Sequence, residues 1–388
     1  MVFSDKKVLI IGAGPGGLVL AHALEKLDIA YEIFDREIPG KSRGQGWAVA
    51  LVEGMDPIRE YLPEDLFRRL PETSVNCYTN TKDKFTILDA KTAEYTTSVG
   101  DDGELLRANR NKLRVLLSEG INVQSGKSFS RYEQQSNGKI TIYFEDGSTS
   151  TGNVVVGADG AHSRVRSQLL GCKDLLLPSE QVAIAAEVTV PMEVYKPIHE
   201  LGSAAIWGHA PGYRFLVGLV GTTPDGLMAH CFWVICHRSD NPVEEFGRIR
   251  SASRQERYNL AVEMSKEFHP LFSDIVRHSD PSCIHEPALQ LAEFFLPEAE
   301  EAPHSKNVAI LGDAAHTMVP FNLAGANTAV RDACDLARYL SEKDVPEALK
   351  AYEELIIPRG KEMVLRSRGN GADRDLKLIK DRTFIPVR

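Results

Sequence analysis

Three glycine-rich turns hold the residues whose types and spacing point to chemistry. They are Gly12-Ala13-Gly14-Pro15-Gly16-Gly17 near the start, Gly157-Ala158-Asp159-Gly160 in the middle and Gly312-Asp313-Ala314-Ala315-His316 towards the end. Each follows an apolar, β-branched run, so each is expected at the C-terminal end of a strand, where open α/β sheets bind their ligands. Gly12, Gly14 and Gly17 form a Gly-x-Gly-x-x-Gly turn between a strand and a helix. Such a turn allows close approach of a pyrophosphate, and the helix that follows aims N–H groups and its positive end at the negative charge. Asp35 closes the next strand, Tyr31-Glu32-Ile33-Phe34, where a carboxylate accepts hydrogen bonds from a ribose hydroxyl, and Arg36 beside it joins the cofactor-binding candidates. This pattern reads a dinucleotide and does not by itself separate NAD from FAD.

The elements that must position these turns follow from periodicity. Val8-Leu9-Ile10-Ile11 reads as a buried parallel strand, and Leu18, Ala21, Leu24 and Leu27 recur at helical spacing behind it. A helix is expected from Arg110 to about Glu119, then short strands near Asn122-Val123-Gln124 and Lys139 to Phe144, and a strand from Asn153 to Val156 that delivers Gly157. From about Gln181 the pattern turns β-rich, with strands expected at Val182 to Val190, Ser203 to Trp207, Arg214 to Val220 and Met228 to Ile235. No helical periodicity of comparable strength intervenes, so this region reads as an antiparallel sheet. Glu244 to Glu267 reads as helical. Val308 to Leu311 returns to the first sheet, and Ala329, Val330, Ala333, Leu336, Ala337 and Leu340 form the apolar face of a long helix. The expected architecture is α/β: a doubly wound Rossmann-like sheet, a second antiparallel β-sheet lobe and C-terminal helices. The nucleotide-binding domain is expected to be discontinuous, from 1–75, 100–178 and 300–345, with a substrate lobe from 76–99 and 179–299 and a C-terminal helical segment from 346–388.

Bulk properties exclude several classes. The 388 residues carry 45 Lys and Arg against 54 Asp and Glu, for a net charge of −9, which argues against a nucleic-acid partner because phosphate neutralisation needs clustered cations. Six cysteines are scattered without a Cys-x-x-Cys pair or metal-ligand spacing and read as reduced core residues; no metal site is expected. The uncharged run from Val8 to Ala21 is too short and too glycine-rich to span a bilayer and lacks a secretory cleavage site. A cytoplasmic enzyme without a membrane span, monomeric or homodimeric, is the expectation.

In this order and at these separations, the three turns resemble those of the group A FAD-dependent monooxygenases, the para-hydroxybenzoate and salicylate hydroxylase-like family, from about Lys6 to about Pro358. The resemblance implies FAD as cofactor and NADPH or NADH as co-substrate. It also implies O2 activation as a flavin C4a-hydroperoxide that hydroxylates or epoxidises a small aromatic, indole-like or polyketide-derived molecule. It further implies that Asp313 bonds the ribityl chain. The N–H groups of Gly325 and Ala326 then face the pyrimidine edge, where a positive helix end stabilises a reduced flavin. Asp159 serves both nucleotides in that pattern, Arg107 of Arg107-Ala108-Asn109-Arg110-Asn111-Lys112-Leu113 contacts FAD, and Arg43 and Gly46 border the nicotinamide approach. One departure stands out: Asn322-Leu323-Ala324 replaces the usual Gly-Gly-Gln, and losing two glycines stiffens that loop.

For the substrate, Trp207, His209, Tyr213, Arg214, His230, Phe232 and Trp233 are the larger polar or aromatic candidates on the second sheet. Side chains alternate along a strand, so half of them face away from any pocket. Tyr213 and Arg214 are the catalytic candidates, as groups able to polarise a hydroxyl or orient a carbonyl. His316 reads as structural to its turn. Two other readings share the scaffold: a flavin-dependent dehydrogenase or reductase, and a non-catalytic flavin-binding redox sensor. The Trp-x-Trp-x-Ile-Pro segment of tryptophan-type flavin halogenases is absent.

Overall fold

A computed structural model describes residues 6–38, 47–52, 55–79, 81–171, 176–297 and 307–368. Its first layer is a five-stranded parallel sheet, ordered Val308–Ile310, Val154–Gly157, Lys7–Ile11, Ala30–Asp35 and Val123–Ser125. Val8, Leu9, Ile10, Val154, Val155 and Val156 are fully buried, as inner strands covered on both faces must be. One face is covered by helix Pro15–Lys26 packed against the long helix Ala324–Glu342, which in turn packs on Val345–Arg368. The other face meets a three-stranded antiparallel sheet, Phe129–Gln134, Ile140–Phe144 and Thr149–Gly152, through contacts such as the Phe34–Phe144 ring pair at 4.7 Å. Because all five strands are parallel, their C-terminal ends and the three glycine turns emerge on one edge.

The second lobe is a six-stranded sheet ordered Gln181–Pro191, Met228–Arg238, Tyr213–Thr222, Ala205–Ala210, Phe85–Asp89 and Tyr95–Val99. It is antiparallel except that Ala205–Ala210 runs parallel to Phe85–Asp89. Strand alternation divides its side chains. Ile206, Phe215, Val217, Leu219, Trp233 and Ile235 form a core with covering helices that include Pro270–Arg277. Trp207, Phe232, Val234 and Cys236 occupy the opposite face and cluster with Ala50, Val319 and Phe321 of the nucleotide-binding lobe. Trp47 stacks on Phe232 with centroids 4.2 Å apart, and Phe321 lies 5.4 Å from Trp207. This inner face is therefore where the two lobes meet.

Two local expectations are corrected. A helix, Met192–Leu201, does intervene within the β-rich region; with Pro197 inside it and only Tyr195 and Ile198 buried, its apolar stripe is too thin to register as periodicity. The single helix expected over 244–267 is two, Pro242–Ser251 and Arg254–Ser265. The break is set by a capping box in which the Ser253 hydroxyl accepts from the Glu256 N–H and the Glu256 carboxylate accepts from the Ser253 N–H. Among the described residues no helix is long and apolar enough to cross a membrane, and Cys77, Cys231, Cys236, Cys283 and Cys334 are unbridged. Ser253→Ala is expected to lower the unfolding free energy by about 1 kcal/mol, read as a lower urea midpoint at unchanged slope.

Candidate active site

A cleft of about 400 Å³ opens at the strand ends, lined by the first two turns, Asp35, Arg36 and Asp313 among others. Gly12 has φ +110°, and a Cβ there would lie 2.3 Å from the carbonyl oxygen of Ala158, so the first and second turns are in backbone contact. A Cβ on Gly17 would fall 2.1 Å from the Gly12 oxygen, which explains the third glycine by helix-to-strand packing. Among the described residues, nothing lies within 4 Å of the Cβ position of Gly14 or Gly160, and both line the cleft. This cradle fits a dinucleotide pyrophosphate above the N-terminus of helix Pro15–Lys26. Asp35 is aimed by the same turn: Oδ2 accepts from the Ala13 N–H at 2.7 Å and Oδ1 from the Glu37 N–H at 2.7 Å.

In the second turn, the Asp159 carboxylate caps helix Arg164–Leu169, accepting from Ser163 Oγ at 2.5 Å and the Arg164 N–H at 2.8 Å. Burial raises its pKa against the pull of these hydrogen bonds. Buried Arg166 ties the second turn to the third: its guanidinium donates to the carbonyls of Ala161, Asp313 and Ala314 and lies 4.3 Å over the Phe294 ring. Arg164 instead donates to the Phe129 carbonyl at 2.8 Å and pairs with Glu145. Asp313 remains accessible from the cleft. The surrounding protein nevertheless raises its pKa, opposed by the charges of His316, Arg110 and Arg166.

The third turn is held from behind by a buried ionic chain. Asp332 Oδ2 accepts the Gly312 N–H at 3.0 Å and meets His316 Nε2 at 2.5 Å, while Oδ1 accepts from Arg359 at 2.8 Å. Arg359 also reaches Asp335 at 2.8 Å. Burial alone would raise the Asp332 carboxyl, but His316 and Arg359 bring it down to about 2; burial would lower His316, but Asp332 raises it. His316 is thus structural to its turn, as the sequence suggests. The depressed Asp332 contributes stability that is present above its unfolded value near 4 and lost as pH falls towards 2. The raised His316 contributes below its ordinary value near 6.5, and that part is lost as pH climbs through its folded value. Asp332→Ala is expected to cost about 3–5 kcal/mol, because it leaves buried His316 without its carboxylate and Arg359 with Asp335 alone. Urea unfolding across pH should show a flatter profile for the variant than for the parent.

The sequence candidates distribute unevenly. Gly12, Gly14, Asp35, Arg36, Asp159 and Asp313 line the cleft, and Gly17 packs beneath it. Arg107 does not lie along the cleft. It is buried with its backbone N–H on Asp83, and burial lowers its pKa to about 10 against the charges of Asp83 and Tyr195. The cleft arginines from this segment are Arg110 and Arg114, four residues apart on one face of helix Arg110–Ser118; that spacing was the available signal. Arg114 donates to the Ala13 carbonyl at 3.0 Å and lies 3.5 Å from Asp35. Arg43 and Gly46 fall outside the described residues. Gly325 and Ala326 lie in the first turn of helix Ala324–Glu342, whose N-cap Leu323 gives no side-chain cap bond and adopts φ 58°. A leucine in this left-handed conformation costs about 1–2 kcal/mol, so the loss of glycine does strain this loop. Tyr213 faces the helix-covered side, 5.9 Å from the Phe268 ring, so it cannot serve the inner face. Arg214, its neighbour, points inward and is buried, over the Phe321 ring at 4.4 Å.

A doubly wound nucleotide fold with this cradle, an acid at the second strand end and a second sheet closing on its edge defines a two-lobed dinucleotide-dependent oxidoreductase. The chain belongs to the FAD-dependent monooxygenases, and it matches the FAD binding domain family over residues 5–194 and 297–367. It is similar to the FAD-dependent monooxygenase thnD of Trichoderma harzianum, 30% identical over 385 residues, covering 93% of this chain and 92% of that protein. It is also 30% identical over 352 residues to the FAD-dependent monooxygenase dbaB of Emericella nidulans, covering 85% and 86%. The fold is similar to that of Klebsiella pneumoniae HpxO complexed with FAD and uric acid, with TM-score 0.73, 19% identity and coverage of 98% and 91%. Pseudomonas aeruginosa PqsL in complex with 2-aminobenzoylacetate is similar to the same degree, with TM-score 0.73, 19% identity and coverage of 97% and 100%. At these identities the structural likeness is one of fold. FAD is the cofactor of this family, and the cradle described above fits it.

Proposed function

We propose that this enzyme uses NADPH or NADH and O2 to place one oxygen atom in a small organic substrate, aromatic or of polyketide or indole type, the second oxygen leaving as water. The observation that carries the reading is the convergence of three strand-end turns on one cleft, in a lobe whose Ala50, Val319 and Phe321 pack against the inner face of the second sheet. Bound FAD supplies the chemistry of accepting a hydride and activating O2. The protein's part is binding, orientation and exclusion of water.

Gly12, Gly14 and Gly17, with the N-terminus of helix Pro15–Lys26, hold the pyrophosphate. Asp35, aimed by the Ala13 N–H, takes the adenosine ribose, with Arg36 and Arg114 at its side. Asp313 takes the ribityl chain, with Arg110 close enough to act on its charge. Gly325 and Ala326 present the positive end of a 19-residue helix to the pyrimidine edge. Asp159 supports the site through its turn, since its carboxylate caps a helix. Arg214, inside an apolar shell, orients the substrate.

Asp313→Ala is expected to weaken FAD retention by about tenfold or more, the order of a lost hydrogen bond to a charged group, measured by flavin absorbance after dialysis. The reaction itself is tested by supplying NADPH, isotopically heavy O2 and a panel of aromatic substrates. Product carrying one heavy oxygen supports the proposal; substrate oxidation that proceeds equally well without O2 replaces it with a dehydrogenase.

A further inference from the structure

Trp47 directly precedes strand Ala48–Leu51 of the nucleotide-binding lobe, yet its side chain rests on the other lobe. The indole lies flat on the Phe232 ring, with centroids 4.2 Å and planes 10° apart, and its N–H donates to Glu187 Oε1 at 2.5 Å. Glu187 and Phe232 are register partners on strands Gln181–Pro191 and Met228–Arg238, so a stack and a hydrogen bond from paired positions seat one ring. His285 adds an edge contact at 5.8 Å. Glu187 is itself aimed: its Oε2 lies 3.3 Å from His230 Nε2, and His230 Nδ1 meets Thr189 Oγ1 at 3.0 Å. His230, and then Trp47, hold the Glu187 carboxyl below its ordinary range against the effect of partial burial, so the indole N–H meets an ionised acceptor.

The seated residue stands where the parts of the nucleotide-binding lobe join. Its carbonyl accepts the N–H of Arg110, the first residue of helix Arg110–Ser118, at 3.3 Å. Strand Ala48–Leu51 then pairs with Leu106–Asn109, and the Asn109 side chain caps that same helix by accepting from the Asn111 and Lys112 N–H groups. At its far end the strand is bracketed by buried Asn327, in the first turn of helix Ala324–Glu342. Asn327 Nδ2 donates to the Ala50 carbonyl at 3.0 Å, and Oδ1 accepts the Val52 N–H at 3.1 Å. The run from Trp47 to Val52 therefore connects the starts of two helices. One carries Arg110 and Arg114 to the cleft; the other begins with Ala324, Gly325 and Ala326. A second tie to the other lobe, from Asn109 Nδ2 to the Val220 carbonyl at 3.0 Å, is between neutral groups, and a charge-assisted bond such as that to Glu187 is about twice as strong.

We propose that Glu187 is a positioning residue for the flavin: by seating Trp47 on the second sheet, it fixes the strand that sets the starts of both cofactor-flanking helices. Glu187 is not among the residues lining the cleft, so it acts on the cofactor through Trp47 alone. The inference rests on the placement of FAD proposed above, with Gly325 and Ala326 at the pyrimidine edge. The charge of a helix end falls off within its first turn, so a small movement of that turn changes what a bound group feels. Releasing Trp47 therefore loosens FAD and alters how readily the bound flavin is reduced. Through one ring, the geometry of the second sheet reaches the cofactor.

The test titrates the protein with FAD, following flavin fluorescence, and measures the reduction potential of the bound flavin. Glu187→Ala should weaken FAD binding by about three- to tenfold, part of what a hydrogen bond to a charged group is worth, and should shift the potential. Trp47→Phe, which keeps an aromatic ring for the stack and removes the N–H, should have a similar effect. The double variant should be no weaker than the weaker single one, because both changes break the same bond. Glu187→Gln keeps a carbonyl acceptor and should restore most of the affinity. Parent-like affinity and potential in both single variants, or losses that add in the double variant, overturn the inference; if Glu187→Ala does not fold, Trp47→Phe decides. Parent protein that takes up no flavin overturns the functional reading and this inference with it, whereas a flavin-loaded parent with unaffected variants overturns this inference alone.

Discussion

Everything at this site depends on backbone approaching backbone where two parallel strands end. Gly12 and Ala158 come so close that a methyl group on Gly12 would overlap the Ala158 carbonyl. The Gly12 N–H meanwhile reaches the Phe34 oxygen at 2.7 Å, drawing the first turn against the end of the second strand. Adjacent strand ends thus become one concave surface on which Asp35 and the helix N-terminus are already aimed. No side-chain adjustment is needed to assemble it.

The third turn is secured in a different way. Its Gly312 N–H and His316 ring share the Asp332 carboxylate, which Arg359 neutralises from the C-terminal helix. Arg166 clasps the same turn from the front through carbonyl oxygens. A buried pair of this kind is weak evidence for net stability, because desolvation opposes the attraction. Its value here is positional: Asp313 is kept at the cleft by groups that never touch it through its carboxylate.

The second sheet contributes through its two faces. One is a conventional core against helices; the other carries Trp207, His209, Arg214 and Phe232 towards Trp47 and Phe321 of the first lobe. On the first face the Trp233 indole N–H is satisfied by Ser279 Oγ; on the second the Trp207 indole N–H has no partner among the described residues.

Glycine spacing, the acid after the second strand and apolar runs of strand length were sufficient to read the nucleotide fold and its cleft from the chain, because these are local demands of a turn and a buried strand. The thin stripe of Met192–Leu201 and the capping box at Ser253 were local too, but too short to stand out against the surrounding β-rich and helical patterns. Tertiary structure decided the rest. Whether Arg107 or Arg110 enters the cleft, and whether Tyr213 or Arg214 faces inward, turns on a shift of a few residues or of one, and on which neighbour covers each face. The pairing of His316 and Asp332 with Arg359 joins residues from three elements. Such contacts have no signature in spacing along the chain, because they are set by how separate elements pack.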